Sequence, residues 1–177
     1  ATRHIDWKVF GRTDKLFTKK YEEETNLRCQ IVIDASSSMY FPEPDKKATG
    51  LHVNKLIFST ICASAIIHLL KLQRDAAGLT IFTDDLLVHT KSGSSNVHHK
   101  LLQTQLESFI GKSSRDVKTD AGKCLHLIAE NIHRRSLVLI FSDMFEDTTK
   151  ADELFSALQH LKHNKHEVVV FHVTDKK

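Results

Sequence analysis

Apolar residues crowd into three short runs along this chain: Ile31-Val32-Ile33, Leu137-Val138-Leu139-Ile140-Phe141, and Val168-Val169-Val170-Phe171 continuing to Val173. Runs of this kind need burial on both faces, as the central strands of a parallel sheet do. They predict strands over about 27–33, 137–141 and 168–173. Gly78-Leu79-Thr80-Ile81-Phe82 predicts another strand, Thr83-Asp84-Asp85 a turn, and residues 86–90 a further strand. So short a connection makes an antiparallel hairpin, which puts the strand over 86–90 at a sheet edge.

Between these runs the apolar period lengthens to that of a helix. From Leu51 to Leu72 the polar positions 55, 59, 64, 68 and 71 form one narrow stripe, which predicts a helix mostly buried against a sheet. Residues 97–110 predict a second helix with Leu102, Leu106, Phe109 and Ile110 on one face. Ala121, Cys124, Leu125, Ile128, Ala129 and Ile132 mark a third, with Thr119 and Asp120 at its start and Arg134 and Arg135 at its end. Thr149-Lys150-Ala151-Asp152 is a capping box for a helix running to about His163. Strands alternating with helices after one hairpin predict a doubly wound α/β fold. Its sheet is mainly parallel, with one antiparallel edge strand and helices on both faces. Residues 1–26 are polar and mixed. They are expected to form a segment packed on the domain of residues 27–177 through Ile5, Trp7, Val9 and Phe10, with an extended stretch over 16–21 and a solvated turn at Glu22-Glu23-Glu24.

The first strand stops at Asp34-Ala35-Ser36-Ser37-Ser38. In open α/β sheets, ligands bind outside the carboxyl ends of the strands. The pattern Asp-x-Ser-x-Ser offers one carboxylate and two hydroxyls, all hard oxygen donors suited to magnesium, manganese or calcium. Taken alone, it reads equally as a turn and helix cap. Asp143 ends its own strand at the same edge, and Thr119 starts a helix leading down from that edge. Five hard donors therefore converge: Asp34, Ser36, Ser38, Thr119 and Asp143. An octahedral cation would keep one position open. Two carboxylates this close should raise the pKa of at least one. The loop over 40–50, with Pro42, Pro44 and Gly50, and the turn Phe145-Glu146-Asp147 rim the same edge.

Composition narrows the alternatives. With 177 residues, 41% hydrophobic and 27% charged, the chain suits one globular domain. A net charge of +3 without a dense basic block gives no reason to expect nucleic-acid binding. The helix over 51–72 is interrupted by Asn54, Lys55, Ser59, Thr60, Ser64 and His68, so no membrane span is expected. The start lacks the apolar core of a signal peptide and lacks methionine, so the chain is expected to belong to a longer protein. The three cysteines, Cys29, Cys62 and Cys124, fit no zinc spacing and fall in apolar elements. Buried reduced thiols and a cytoplasmic setting are expected.

Other chemistry finds less support. No phosphate-binding glycine loop and no nucleophile elbow are present. Asp34 lacks the second aspartate that phosphoaspartyl enzymes use as a general acid. His160, His163 and His166 read as surface histidines, and His98-His99 as facing solvent. A metal-assisted hydrolase would need a base beside the metal, and Glu146 and Asp147 are the near candidates.

Asp34-x-Ser36-x-Ser38 with Thr119 and Asp143 resembles the metal-ion-dependent adhesion site of von Willebrand factor A domains. Ile5-Asp6-Trp7-Lys8-Val9, Gly11-Arg12-Thr13-Asp14-Lys15, Lys20-Tyr21-Glu22-Glu23-Glu24 and Phe141-Ser142-Asp143 are similar to the bacterial family called domain of unknown function 58, over nearly the whole chain. The resemblance implies a von Willebrand factor A-like, Rossmann-like three-layer fold with a divalent metal, magnesium first, at the top of the sheet. It implies no catalysis but capture of a partner's acidic residue, with a MoxR-type AAA+ ATPase as the partner. In members of that family, further sequence precedes the segment seen here.

Overall fold

The computed structural model describes residues 7–15, 27–42, 53–110, 120–133, 135–144 and 151–175. One five-stranded sheet organises them, in the order β3-β2-β1-β4-β5. The strands are β1 (Arg28–Asp34), β2 (Ala76–Phe82), β3 (Leu86–Gly93), β4 (Leu137–Ser142) and β5 (Glu167–His172). β1 pairs in parallel with β2 on one side and β4 on the other, and β4 pairs in parallel with β5. β3 runs antiparallel to β2 at the edge, as the three-residue turn requires. The expected α/β architecture is thus present, a mainly parallel sheet with one antiparallel edge strand.

The helices are α1 (Trp7–Thr13), α2 (Lys55–Gln73), α3 (Asn96–Glu107), α4 (Ala121–Asn131) and α5 (Ala151–His163). On one face of the sheet, Ala63 and Ile67 of α2 with Leu102 and Leu106 of α3 close over Ile31, Ile33, Leu79 and Ile81. On the other, Cys124, Leu125 and Ile128 of α4 with Leu154, Ala157 and Leu161 of α5 close over Val32, Phe82, Val138 and Ile140. Both faces of β1 and β4 are therefore covered, which is why their sequences carry no polar alternation. α1 is a helix within a segment whose sequence predicted none. Residues 16–26, 43–50, Arg134, Thr149 and Lys150, on which other expectations fell, lie outside the described residues.

Three expectations need correction. α2 begins at Lys55 and not at Leu51: Asn54 is the N-cap, its side chain accepting the Ile57 N–H at 2.8 Å, and Val53 is not helical. α2 is also less buried than expected. One face meets the sheet and α3, whereas Phe58, Ile61, Leu69 and Leu72 stay exposed among the described residues. Length and composition would let this helix cross a bilayer, yet its buried face packs within the α/β fold. Finally, α3 turns His99 inward with Leu102 and Leu106, at helical spacing, and leaves Ile110 exposed.

His99 is 2% exposed, and neither ring nitrogen has a partner among the described residues. Burial pushes its pKa down, with His98 and Lys71 adding to the shift. The unfolded chain therefore takes up a proton first as pH falls. This part of the stability is complete above the unfolded value of about 6.5 and declines as pH drops through it. Buried His166 and half-buried His89 shift the same way, chiefly by desolvation. Urea unfolding should show stability falling from pH 7.5 to pH 5.5. His99→Leu should flatten that slope and add about 1 kcal/mol at pH 7.5, because it removes two unpaired polar atoms from the interior. A variant with an unchanged slope would exclude His99 as a contributor.

Candidate metal centre

Asp34 and Asp143 end up side by side because β1 and β4 are neighbours. Asp34 is the last residue of β1, and Asp143 follows β4 directly. This is where the chain's direction of growth across the sheet reverses, from β2 on one side of β1 to β4 on the other. Such switch points open a crevice at the carboxyl edge. One more ladder-like bond, from the Ala35 N–H to the Phe82 carbonyl at 2.8 Å, carries β1 past Asp34 before the chain turns. Ser37–Tyr40 then form a short 3-10 turn, anchored by buried Met39.

The side chains form one connected polar path. Asp34 Oδ1 accepts the Ser36 N–H at 2.8 Å, and its Oδ2 accepts the Ser142 hydroxyl. Ser142 Oγ in turn accepts the Met144 N–H at 3.0 Å. Ser36 Oγ lies 3.1 Å from Ser38 Oγ, and the Ser38 hydroxyl donates to Asp143 Oδ1 at 2.9 Å. Asp34, Ser36 and Asp143 are buried, whereas Ser38 is exposed, so the path ends at the surface. Burial pushes the Asp34 carboxyl above its ordinary pKa. The bonds from Ser142 and Ser36 pull it down, and the Asp143 charge pushes it up again.

Four of the five expected donors are thus brought together. The fifth, Thr119, lies outside the described residues, as do Glu146 and Asp147. Its neighbour Asp120 caps α4, accepting the Lys123 N–H at 3.1 Å. The first turn of α4 reaches the turn after β2: Cys124 Sγ lies 3.7 Å from the Thr83 carbonyl oxygen and 3.5 Å from that of Asp84. Among the described residues no three or more histidine, cysteine, aspartate or glutamate side chains form a metal cluster. The donor set here is two carboxylates with hydroxyls, which suits a hard cation. Adjacent oxygens around octahedral magnesium lie about 3.0 Å apart, given magnesium–oxygen distances near 2.1 Å. The spacings of 3.1 and 2.9 Å along Ser36, Ser38 and Asp143 meet that requirement.

Two residues of this site escaped the sequence reading. Ser142 orients Asp34. Lys55, assigned to the polar stripe of α2, is instead buried with its Nζ donating to Asp143 Oδ2 at 2.9 Å. A lysine in the first turn of a helix, straight after the N-cap, was the available signal for it. A cleft of about 570 Å³ opens beside Lys55, with Val53, Phe58, Val170, Phe171 and Val173 in its walls.

The histidines need correction as well. His166 is buried, its Nδ1 accepting the Ser136 N–H at 3.2 Å. His160 is half-buried, its Nδ1 at 3.0 Å from that of His126 on α4. His163 is exposed, as expected.

The profile of the family described as "Protein of unknown function DUF58" matches residues 1–177. The chain belongs to the DUF58 family. Among solved structures, this DUF58 chain resembles an aerotolerance-related membrane protein from Bacteroides fragilis NCTC 9343 carrying multiple mutations to serines. Identity is 20% and the TM-score 0.58, with 83% of this chain and 67% of that one covered. The conserved hypothetical protein BatB from Bacteroides thetaiotaomicron matches at 19% identity and a TM-score of 0.54, over 81% of this chain and 65% of that one. The chain therefore spans about two thirds of the length of each. The SpRpn10 VWA domain matches more distantly, at 13% identity and a TM-score of 0.41, over 85% of this chain and 90% of that one. A search of curated proteins finds no significant match.

Proposed function

We propose that this DUF58 domain is a non-enzymatic protein-binding module that recognises an acidic residue of its partner through a divalent cation. The observation that supports this most directly is the convergence of Asp34, Ser36, Ser38 and Asp143 at a sheet edge where Ser38 reaches solvent. These residues, with Thr119, would hold magnesium, or manganese or calcium in its place. When bound, such a cation supplies a Lewis-acidic position for one more anion, because two aspartates only balance its charge and the hydroxyls are neutral. The residues of the chain do the rest. Ser142 and the Ser36 amide fix the Asp34 carboxylate. The apolar walls of the neighbouring cleft offer contact area to residues flanking the partner's carboxylate, and such contacts discriminate one acidic side chain from another. We assign the partner to the MoxR-type AAA+ ATPases, acting in protein assembly or activation. The buried thiols Cys29 and Cys124, pushed up to about 12 and about 11 chiefly by desolvation, favour a reducing, cytoplasmic setting.

Two measurements test this reading. Magnesium at a hundred times its dissociation constant should stabilise metal-stripped protein by about 2.7 kcal/mol. A melting temperature indifferent to millimolar magnesium and manganese would exclude the metal. The second is a titration of a purified MoxR-type ATPase with wild type, Ser38→Ala and wild type plus chelator. The variant and the chelated protein should bind more weakly with unchanged circular dichroism, since Ser38 lies on an exposed turn. Equal binding in all three places the contact elsewhere. Metal-dependent turnover of phosphate esters, lost in Asp34→Ala, would replace the binding module with a hydrolase.

A further inference from the structure

We propose that Lys55 is the resident cation of this site, and that a divalent metal enters only by displacing its ammonium group. The inference rests on the metal reading above and adds a residue outside the expected donor set. Lys55 Nζ sits 2.9 Å from Asp143 Oδ2, while Asp143 Oδ1 accepts Ser38. The lysine is 8% exposed and the aspartate 5%, so water screens the pair little. Each oxygen of Asp143 is thus engaged, one by a hydroxyl that would be a metal ligand and the other by an ammonium.

The position of Lys55 argues that this contact helps to hold it there. It is the first residue of α2, directly after the Asn54 cap. The amino end of a helix carries partial positive charge, and a cation there is disfavoured. Burying a lysine at that point costs more still unless a carboxylate compensates. Asp143 compensates. The backbone reinforces the placement, because the Lys55 N–H donates to the Phe41 carbonyl at 3.1 Å and so ties the start of α2 to the loop carrying Ser36 and Ser38.

Charge counting over the described residues gives the consequence. Asp34 and Asp143 with the Lys55 ammonium sum to −1. A dication among the same groups with the ammonium still in place would make +1, with two cations bearing on one carboxylate. At the effective dielectric of a protein site, two such charges a few ångströms apart repel strongly. Lysine resolves the conflict easily, since its charge rides on a flexible four-carbon stem. In metal-free protein the ammonium then offsets one of the two carboxylate charges, and metal affinity is set partly by the cost of releasing Lys55.

The test is calorimetric titration of metal-stripped wild type and Lys55→Met with magnesium and with manganese. Methionine keeps the stem and removes the charge. Lys55→Met should bind both ions at least tenfold more tightly. Reductive methylation read by mass spectrometry gives a second view that needs no variant: Lys55 of wild type should be protected without metal and labelled several-fold faster once calorimetry shows saturation. Equal or weaker binding by Lys55→Met overturns the proposal while leaving the metal reading intact. If that variant fails to fold, unchanged labelling of saturated wild type overturns it. If neither protein binds either ion, the metal reading fails and takes this proposal with it.

Discussion

Asp143→Ala should destabilise the domain by about 3 kcal/mol in urea unfolding. The substitution removes the carboxylate that the buried Lys55 ammonium and the Ser38 hydroxyl both donate to. Breaking a buried ion pair from one side costs about 3–5 kcal/mol, because the surviving charge remains in the interior. We take the low end, since losing one aspartate also relieves the repulsion that pushes Asp34 up. Removing both charges is a different matter. Asp143→Leu combined with Lys55→Met should regain most of the loss, since apolar groups of similar volume replace buried ion pairs at little cost. A loss below about 1 kcal/mol for the single substitution would mean that water screens the pair.

Phe141→Ala should cost about 4 kcal/mol. The ring is 2% exposed in β4, faces the core beneath α2 and α3, and stacks on Phe171 of β5 at 4.6 Å between centroids. Deleting a buried phenylalanine ring removes transfer energy and leaves a cavity, for about 3–5 kcal/mol in total. Phe171→Ala provides the contrast. It lies on the edge strand, 41% exposed, and its loss should cost about 1 kcal/mol. Comparable losses at both positions, measured by urea unfolding, would show that the outer side of β5 is covered in solution.

What could be read from the chain follows from how local each signal is. β1 and β4 announce themselves because strands buried on both faces are apolar throughout, and the aspartates closing them are next in sequence. The antiparallel edge follows from a turn too short for a crossover. The start of α2 was misplaced because Leu51 and Val53 prolong the apolar pattern upstream, and only the Asn54 side chain marks the true boundary. Lys55 reads only as one member of a polar stripe because its partner lies 88 residues away, and such a stripe does not reveal which of its members folds inward. His99 was misassigned for the same reason: the adjacent pair His98-His99 looks solvated, yet the helical repeat points one ring to the Ala77 carbonyl and buries the other. Ser142 closes an apolar run, and its bond to Asp34 exists only because β1 and β4 lie side by side.

That adjacency also governs how the site breathes. β1 is hydrogen-bonded along both flanks, and the ladder continues through Ala35 to Phe82 just beyond Asp34. The backbone beneath the carboxylates cannot fray from an edge as β3 or β5 can. Its amides become available to solvent only when the middle of the sheet parts, an event close to global unfolding. The two aspartates are therefore lost together or not at all.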